Sequence, residues 1–368
     1  MSDELTSPTP LNVLLVVDDD AYDRLGSVVL LLCVGMIDEP VKLRVLLRTR
    51  RGAGFETIGP APVVQVRHRR WNLGRRWAER ILDRLEDAPP DVIHAMSVRA
   101  GWWARHLAVA GSCRLVVHVT DREDLRDLDR LGGEADAAAV TITPQLHELL
   151  TDRRPEWRRR SRLIPFGVPA QAEPACLEDP QRIPSAIVTT PLTGDCGLCG
   201  ALRSLQTLIR AGQEVQLFIL STGRAETALR RQVEQLQLQH YVTFAPSGGD
   251  WDTVRGALRG ADFFLETNPA RRFTAHTLMA MADGLAILAP RGLLADGLID
   301  QTTACLFDPA RPRDLAEKWG RLLQDRSAAR RLAHSALDYV SAHHQAGRMV
   351  AATASLYREL CAVGEFAI

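Results

Sequence analysis

Short apolar runs alternate along this chain with longer stretches in which apolar residues recur every three or four positions. That alternation predicts parallel α/β units, a strand followed by a helix, many times over. Residues 11–17 (LNVLLVV) predict a buried strand that runs into Asp18-Asp19-Asp20, with a helix over roughly 23–37 behind it. Strands are predicted at 42–47, 63–66, 92–95, 115–119, 138–142 and 162–165, and a helix at 71–85 that Ala88-Pro89-Pro90 stops. After a break the pattern restarts. Strands are expected at 186–189, 215–220, 242–244, 262–266, 286–289 and 304–307. Helices are expected at 198–211, 226–238, 252–258, 274–282 and 313–323, and a helical tail over 328–360 is interrupted near 343–347.

The break itself, residues 166–184, holds four prolines and has no periodicity, which is linker composition. The expected organisation is therefore an amino-terminal domain over 1–165, a linker over 166–184, a second domain over 185–345 and a helical tail over 346–368. Each domain is expected to be a doubly wound α/β sheet, and such sheets bind ligands at the carboxyl ends of their strands.

Charge narrows the function classes. The 45 basic residues equal the 45 acidic ones, so no global field draws the chain to nucleic acid. Seven scattered cysteines argue against a disulfide framework and for a reducing compartment. The polar start, with no apolar run near the ~20 residues of a membrane helix, reads as cytoplasmic.

The second half carries a family resemblance. Ala261-Asp262-Phe263-Phe264-Leu265, then Phe273, then residues 278–287 (LMAMADGLAI) follow the order of a block shared by family 4 glycosyltransferases. Residues 299–307 (IDQTTACLF) and 355–360 (SLYREL) are similar to later blocks of that family. Residues 162–168 (RLIPFGV) resemble its domain junction, and 90–95 (PDVIHA) a strand of its first domain. The resemblance implies a GT-B fold, two Rossmann-like domains facing a cleft, and a retaining sugar transfer from a nucleotide sugar to a glycan or lipid acceptor. It implies no cofactor or metal.

Such a reaction needs cations or helix-end N–H groups for the diphosphate, fixed carboxylates for the hydroxyls and a positioned nucleophile. Aligned on Gly197, the family's clamp arginine falls on Pro191 and its lysine on Cys196. The paired glutamates fall on Arg271 and Met279. The strand-end histidine of the first domain falls on Thr120, with His118 two residues earlier and Asp121 one residue later. The candidate catalytic residues are thus His118, Thr120 and Asp121. Pro191, Cys196, Gly197, Arg271, Arg272, Phe273, Thr274, His276 and Met279 are the candidate donor-binding positions.

Arg271 and Arg272, just ahead of Thr274, suit an anion site, and they suit an exposed loop equally well. Cys196-Gly197-Leu198-Cys199 is a single CxxC with nothing to complete a four-ligand metal site, and ordinary loop and helix cysteines outweigh a redox pair. His343-His344 is expected to be solvated, and Trp102-Trp103 to be core or cleft wall. Two basic clusters with tryptophan, 67–77 and 153–162, fit an anionic membrane surface, while a solvated charged face fits them better. Two readings follow: a sugar-transferring enzyme with unusual site residues, or a catalytically silent homologue that binds a protein, glycan or related partner.

Overall fold

The computed structural model describes residues 9–49, 56–67, 74–131, 137–169, 176–194, 196–246, 251–267, 274–293, 295–311 and 313–362. The chain divides into two units, one made of Met1–Gly167 together with Ala346–Ile368, the other of Val168–Gln345.

The first unit runs β1 (Leu11–Asp18), α1 (Asp19–Gly35), β2 (Val41–Thr49), β3 (Thr57–Ile58), β4 (Ala61–Arg67), α2 (Arg75–Asp83) and β5 (Val92–Ala95). It continues α3 (Val98–Gly111), β6 (Arg114–Val119), α4 (Arg122–Asp127), β7 (Ala137–Thr141), α5 (Pro144–Arg153) and β8 (Ser161–Leu163). Among the described residues these strands form one sheet in the order β3-β4-β2-β1-β5-β6-β7-β8. All neighbours are parallel except the short antiparallel pair β3–β4 at the edge. Strand order reverses between β1 and β5, which makes that the switch point of the unit.

Helix α1 starts four residues before the expected 23, for a local reason. The Asp18 carboxylate accepts the Ala21 N–H at 2.8 Å, and Asp19 and Asp20 place negative charge on the first turn, where the helix dipole favours it. The tail is part of this unit. Helix α12 (Ala346–Ala362) packs against α1, buries Met349, Val350, Leu356, Tyr357 and Leu360, and crosses so closely at Gly35 that a β-carbon there would lie 2.4 Å from Val350 Cγ2. Trp103 is buried as core, with Trp77 edge-on to it at 5.8 Å and the Arg48 guanidinium over its ring at 5.5 Å. Trp77, one of the two tryptophans of the first basic cluster, is thus turned inward and half-buried.

The second unit runs β9 (Ser185–Val188), α6 (Leu198–Arg210), β10 (Gln216–Leu220), α7 (Glu226–Gln235), β11 (Val242–Ala245), α8 (Trp251–Arg259) and β12 (Phe263–Leu265). Then come α9 (Ala275–Ala282), β13 (Ala286–Pro290), β14 (Ala304–Phe307), α10 (Asp314–Gln324) and α11 (Arg326–His343). Its sheet is parallel throughout, in the order β11-β10-β9-β12-β13-β14, with the switch point between β9 and β12. Helix α6 shows how the sequence builds this layer. Leu198, Ala201, Leu202, Leu205 and Leu208 recur at helical spacing and are all buried on the sheet. Each fully buried leucine contributes about 1.5–3 kcal/mol. Helix α6 packs beside α7 and α10, whereas α9 packs with α8 and α11.

Asp262, part of the family-like block, has a structural task. Its carboxylate accepts the Leu177 N–H and the Ser185 N–H, each at 2.8 Å, and pairs with Arg182, so it straps the approach to β9 onto the start of β12. One expectation fails in this unit. His344 is not solvated: it is buried, its Nε2 lies 3.7 Å from Asp296 Oδ2, and its carbonyl accepts the Val168 N–H at 2.9 Å. Val168 and Gln345 form a parallel bridge beside it, in which Val168 is buried and Gln345 exposed.

Candidate functional site

The carboxyl ends of β9 and β12 diverge at the switch point of the second unit, and a buried carboxylate stands there. Glu266 immediately follows β12 and is 2% exposed. Burying a carboxylate is costly unless its oxygens are hydrogen-bonded, and here three threonine hydroxyls converge on it. Thr190 donates to Oε1 at 3.3 Å, and Thr274 and Thr277 donate to Oε2 at 3.4 and 3.2 Å. Thr267 extends the network: its hydroxyl donates to the Cys196 carbonyl at 2.8 Å and lies 3.1 Å from Thr190 Oγ1.

Gly197 closes the same cluster through its backbone. Its φ is +71°, and a β-carbon there would lie 1.9 Å from the Thr267 carbonyl oxygen, so only glycine fits. It is the residue before α6, and among the described residues no side chain caps that helix. An open pocket of about 370 Å³ lies on the α6 side of this network, with Cys196, Gly197 and Thr267 in its wall.

Helix α9 begins at the network. Thr274 is its N-cap residue in an extended conformation, but its hydroxyl is committed to Glu266 and caps nothing. No side-chain cap hydrogen bond is made at this helix end among the described residues, and amino ends of helices are where anions are held. His276 and Met279, also on α9, are both buried, and burial pushes the His276 pKa down to about 4, so it is neutral near pH 7. Arg271, Arg272 and Phe273 lie outside the described residues. Pro191 is half-buried in the loop after β9, and Cys196 is buried. The structure therefore gathers Cys196, Gly197 and Thr274 around Glu266. Sequence reasoning missed Glu266 itself, Thr190 and Thr277. The available signal was a glutamate at the carboxyl end of an otherwise apolar strand, where sheet proteins of this class place ligand-facing groups.

The first unit divides its three candidates. His118 lies inside β6, 3% exposed, against His94 at 4.7 Å and Phe166 at 5.1 Å between ring centroids. Burial holds its pKa well below the usual value, and the neighbouring His94 adds to that. It is a core histidine and does not reach the strand end. Thr120 and Asp121 do. The Asp121 carboxylate accepts the N–H groups of Glu123 and Asp124 at 2.8 and 2.9 Å and so caps α4. Thr120 accepts from Arg24 at 3.3 Å and donates to Asp124 at 2.8 Å, and Arg24 reaches on to Asp20 at 3.2 Å. Burial, then the charge of Asp121, raises the Asp124 pKa. Burial also raises that of Asp18 at the end of β1. A linked set of carboxylates and one buried arginine thus occupies the carboxyl edge of β1 and β6.

Comparison with known proteins bears directly on this arrangement. Residues 194–325 match a family described as glycosyl transferases group 1. That match lies within the second unit and spans about a third of the chain. No curated protein matches the sequence, but solved structures match its fold over nearly the whole length. Sucrose-phosphate synthase from Thermosynechococcus elongatus superposes with a TM-score of 0.78 at 16% identity, covering 96% of this chain and 99% of that one. Anabaena Alr3699/HepE in complex with UDP-glucose gives 0.76 at 14% identity, with 95% and 100% covered. WaaG, a glycosyltransferase involved in lipopolysaccharide biosynthesis, gives 0.67 at 13% identity, with 94% and 99% covered. The chain has the GT-B fold of these structures. Among its described residues no helix is long and apolar enough to cross a membrane.

Proposed function

We propose that this protein is a glycosyl transferase that takes a nucleotide sugar in its second unit, with the usual charged donor contacts replaced by backbone and hydroxyl groups. The observation that carries this reading is the uncapped amino end of α9 beside the switch-point carboxylate, within the segment that matches the family. The N–H groups there suit a diphosphate, whose charge builds as the sugar departs. Arg271 and Arg272 immediately precede that helix end in sequence and would add cations to it. Glu266 orients the hydroxyls of Thr190, Thr274 and Thr277, which would present their remaining lone pairs to donor hydroxyls. HepE, a fold relative, is described in complex with UDP-glucose, which supports a nucleotide sugar as the donor class. The acceptor side of the reading falls to the first unit, where Thr120 and Asp121 stand at a strand end.

A second reading has its own observation. Pro191 and Cys196 stand where the family's two clamp cations would be, and Met279, buried in α9, where a ribose-binding carboxylate would be. None of the three can bear the required charge. This favours a silent homologue that binds a glycan or a partner protein.

Calorimetric titration with UDP, GDP and ADP and their sugars, followed by a donor-turnover assay, separates the two. Micromolar binding of one nucleotide with release of its sugar is the expected result. Binding without turnover would establish the silent homologue. No binding by a folded protein would overturn the donor reading altogether.

A further inference from the structure

We propose that a second pocket, at the amino ends of β9 and β10, binds a free α-amino acid with an apolar side chain. The pocket has a volume of about 370 Å³, enough for one small metabolite. Residues 180–184 lead into β9 and residues 212–214 into β10, and the end of α10 and the start of α11 close the remaining side. Glu266 and the amino end of α9 stand at the carboxyl ends of the same parallel sheet. The two places lie at opposite edges of that sheet, so the proposal is independent of the donor reading.

Two opposite charges line this pocket without ion-pair partners. Arg326 donates from Nη1 to the Asp179 carbonyl at 3.0 Å and pairs with no acid among the described residues, which leaves Nε and Nη2 for a ligand. A guanidinium in that state suits a carboxylate, whose two oxygens match its fork. Arg182, also in the wall, differs: Asp262 already neutralises it, and the Gly260 carbonyl accepts from its Nη1 at 2.9 Å. Glu214 is the opposite charge. It is exposed and has no basic partner among the described residues. Its neighbour Gln213 lines the pocket too. The Gln213 Nε2 donates to the Gly320 carbonyl at 3.2 Å, which fixes the amide, while its Oε1 is buried with no hydrogen-bond partner among the described residues. A buried acceptor left unpaired costs stability, and a ligand ammonium beside Glu214 would supply the missing donor.

The apolar part of the wall defines the rest of the ligand. Ile183 is 45% exposed here, unusual for a large apolar side chain in this molecule, and half-buried Leu323 lines the pocket with it. An apolar group laid on them leaves water, which favours binding. A carboxylate on Arg326, an ammonium between Glu214 and Gln213 and an apolar side chain on Ile183 and Leu323 together describe an amino acid. A sugar phosphate carries no cation, so it would leave Glu214 unpaired beside its own negative charge.

The test is calorimetry of the full chain with L-leucine and L-phenylalanine, each compared with its amide, which lacks the carboxylate, and its N-acetyl form, which lacks the ammonium. At least one free amino acid should bind, with both blocked forms about tenfold weaker or worse. Arg326→Gln should weaken the free amino acid about tenfold or more and erase its advantage over the amide. Glu214→Gln, at an exposed position where the fold should not suffer, should weaken it roughly 3- to 10-fold and erase its advantage over the N-acetyl form. No binding of either amino acid, equal binding of the blocked forms, or unchanged selectivity in either variant would each overturn the proposal. A protein that binds an amino acid but no UDP would keep this site and lose the donor reading, and one that binds UDP but no amino acid would do the reverse.

Discussion

At the scale of single residues, the cluster around Glu266 depends on a backbone position as much as on its side chains. Gly197 is held at φ +71° with the Thr267 carbonyl where its β-carbon would be, and Thr267 in turn holds the Cys196 carbonyl. Gly197→Ala must push the loop away from β12 and strain a left-handed backbone at the same time. A loss of about 2 kcal/mol or more is expected, read as a lower urea midpoint at unchanged slope, and nucleotide affinity should fall with it. An unchanged midpoint would mean that the loop is free to move. Residue patterns made Gly197 visible, because the family-like spacing pointed at it. They could not make Glu266 visible, because a buried glutamate and an exposed one look alike until the partners are placed. Its partners come from Thr190, 76 residues earlier, and from Thr274 and Thr277 on the next helix.

At the scale of elements, the most instructive piece is α12. Apolar periodicity predicted a helix in the tail but gave it no partner. The structure docks it on α1 in the first unit. The docking is specific: Gly35 admits Val350, Arg358 pairs with Glu39 at 3.1 Å, and Tyr357 places its hydroxyl 2.6 Å from His94 Nδ1. Ending the chain at residue 345 would remove Leu356 and Tyr357 and bare the apolar face of α1 that they cover. The expected result is loss of cooperative unfolding for the first unit with the second unit's transition retained, seen by scanning calorimetry. Two intact transitions in the shortened chain would show that α12 contributes no stability.

At the scale of the whole molecule, both units bury neutral histidines, and this sets the response to acid. Burial lowers the pKa of His94 to about 3 and that of His276 to about 4, from an ordinary value near 6.5. Above pH 6.5 these rings are neutral whether folded or not and the term vanishes. Below it the unfolded chain takes up protons that the folded one refuses, so stability falls as pH drops toward 3. Asp18 and Asp124, with raised pKa values, work the other way, but the buried histidines His94, His118 and His276 outnumber them. The urea midpoint should therefore decline from pH 7 to pH 4.5, and His94→Gln should remove about 1.4 kcal/mol per pH unit of that slope. An identical slope in the variant would put the acid sensitivity elsewhere. The sequence by itself determined the two α/β arrays, nearly every strand and the break between arrays, because apolar periodicity and proline act locally. It also determined that Pro191, Cys196 and Met279 cannot supply charge, because that is a property of the side chain alone. Only the tertiary structure decided that His118 and His344 are buried, that the tail belongs to the first unit and that Glu266 sits at a switch point among three hydroxyls. Burial, docking and hydrogen-bond partners depend on residues distant in sequence, and those distances exist only once the sheets have formed.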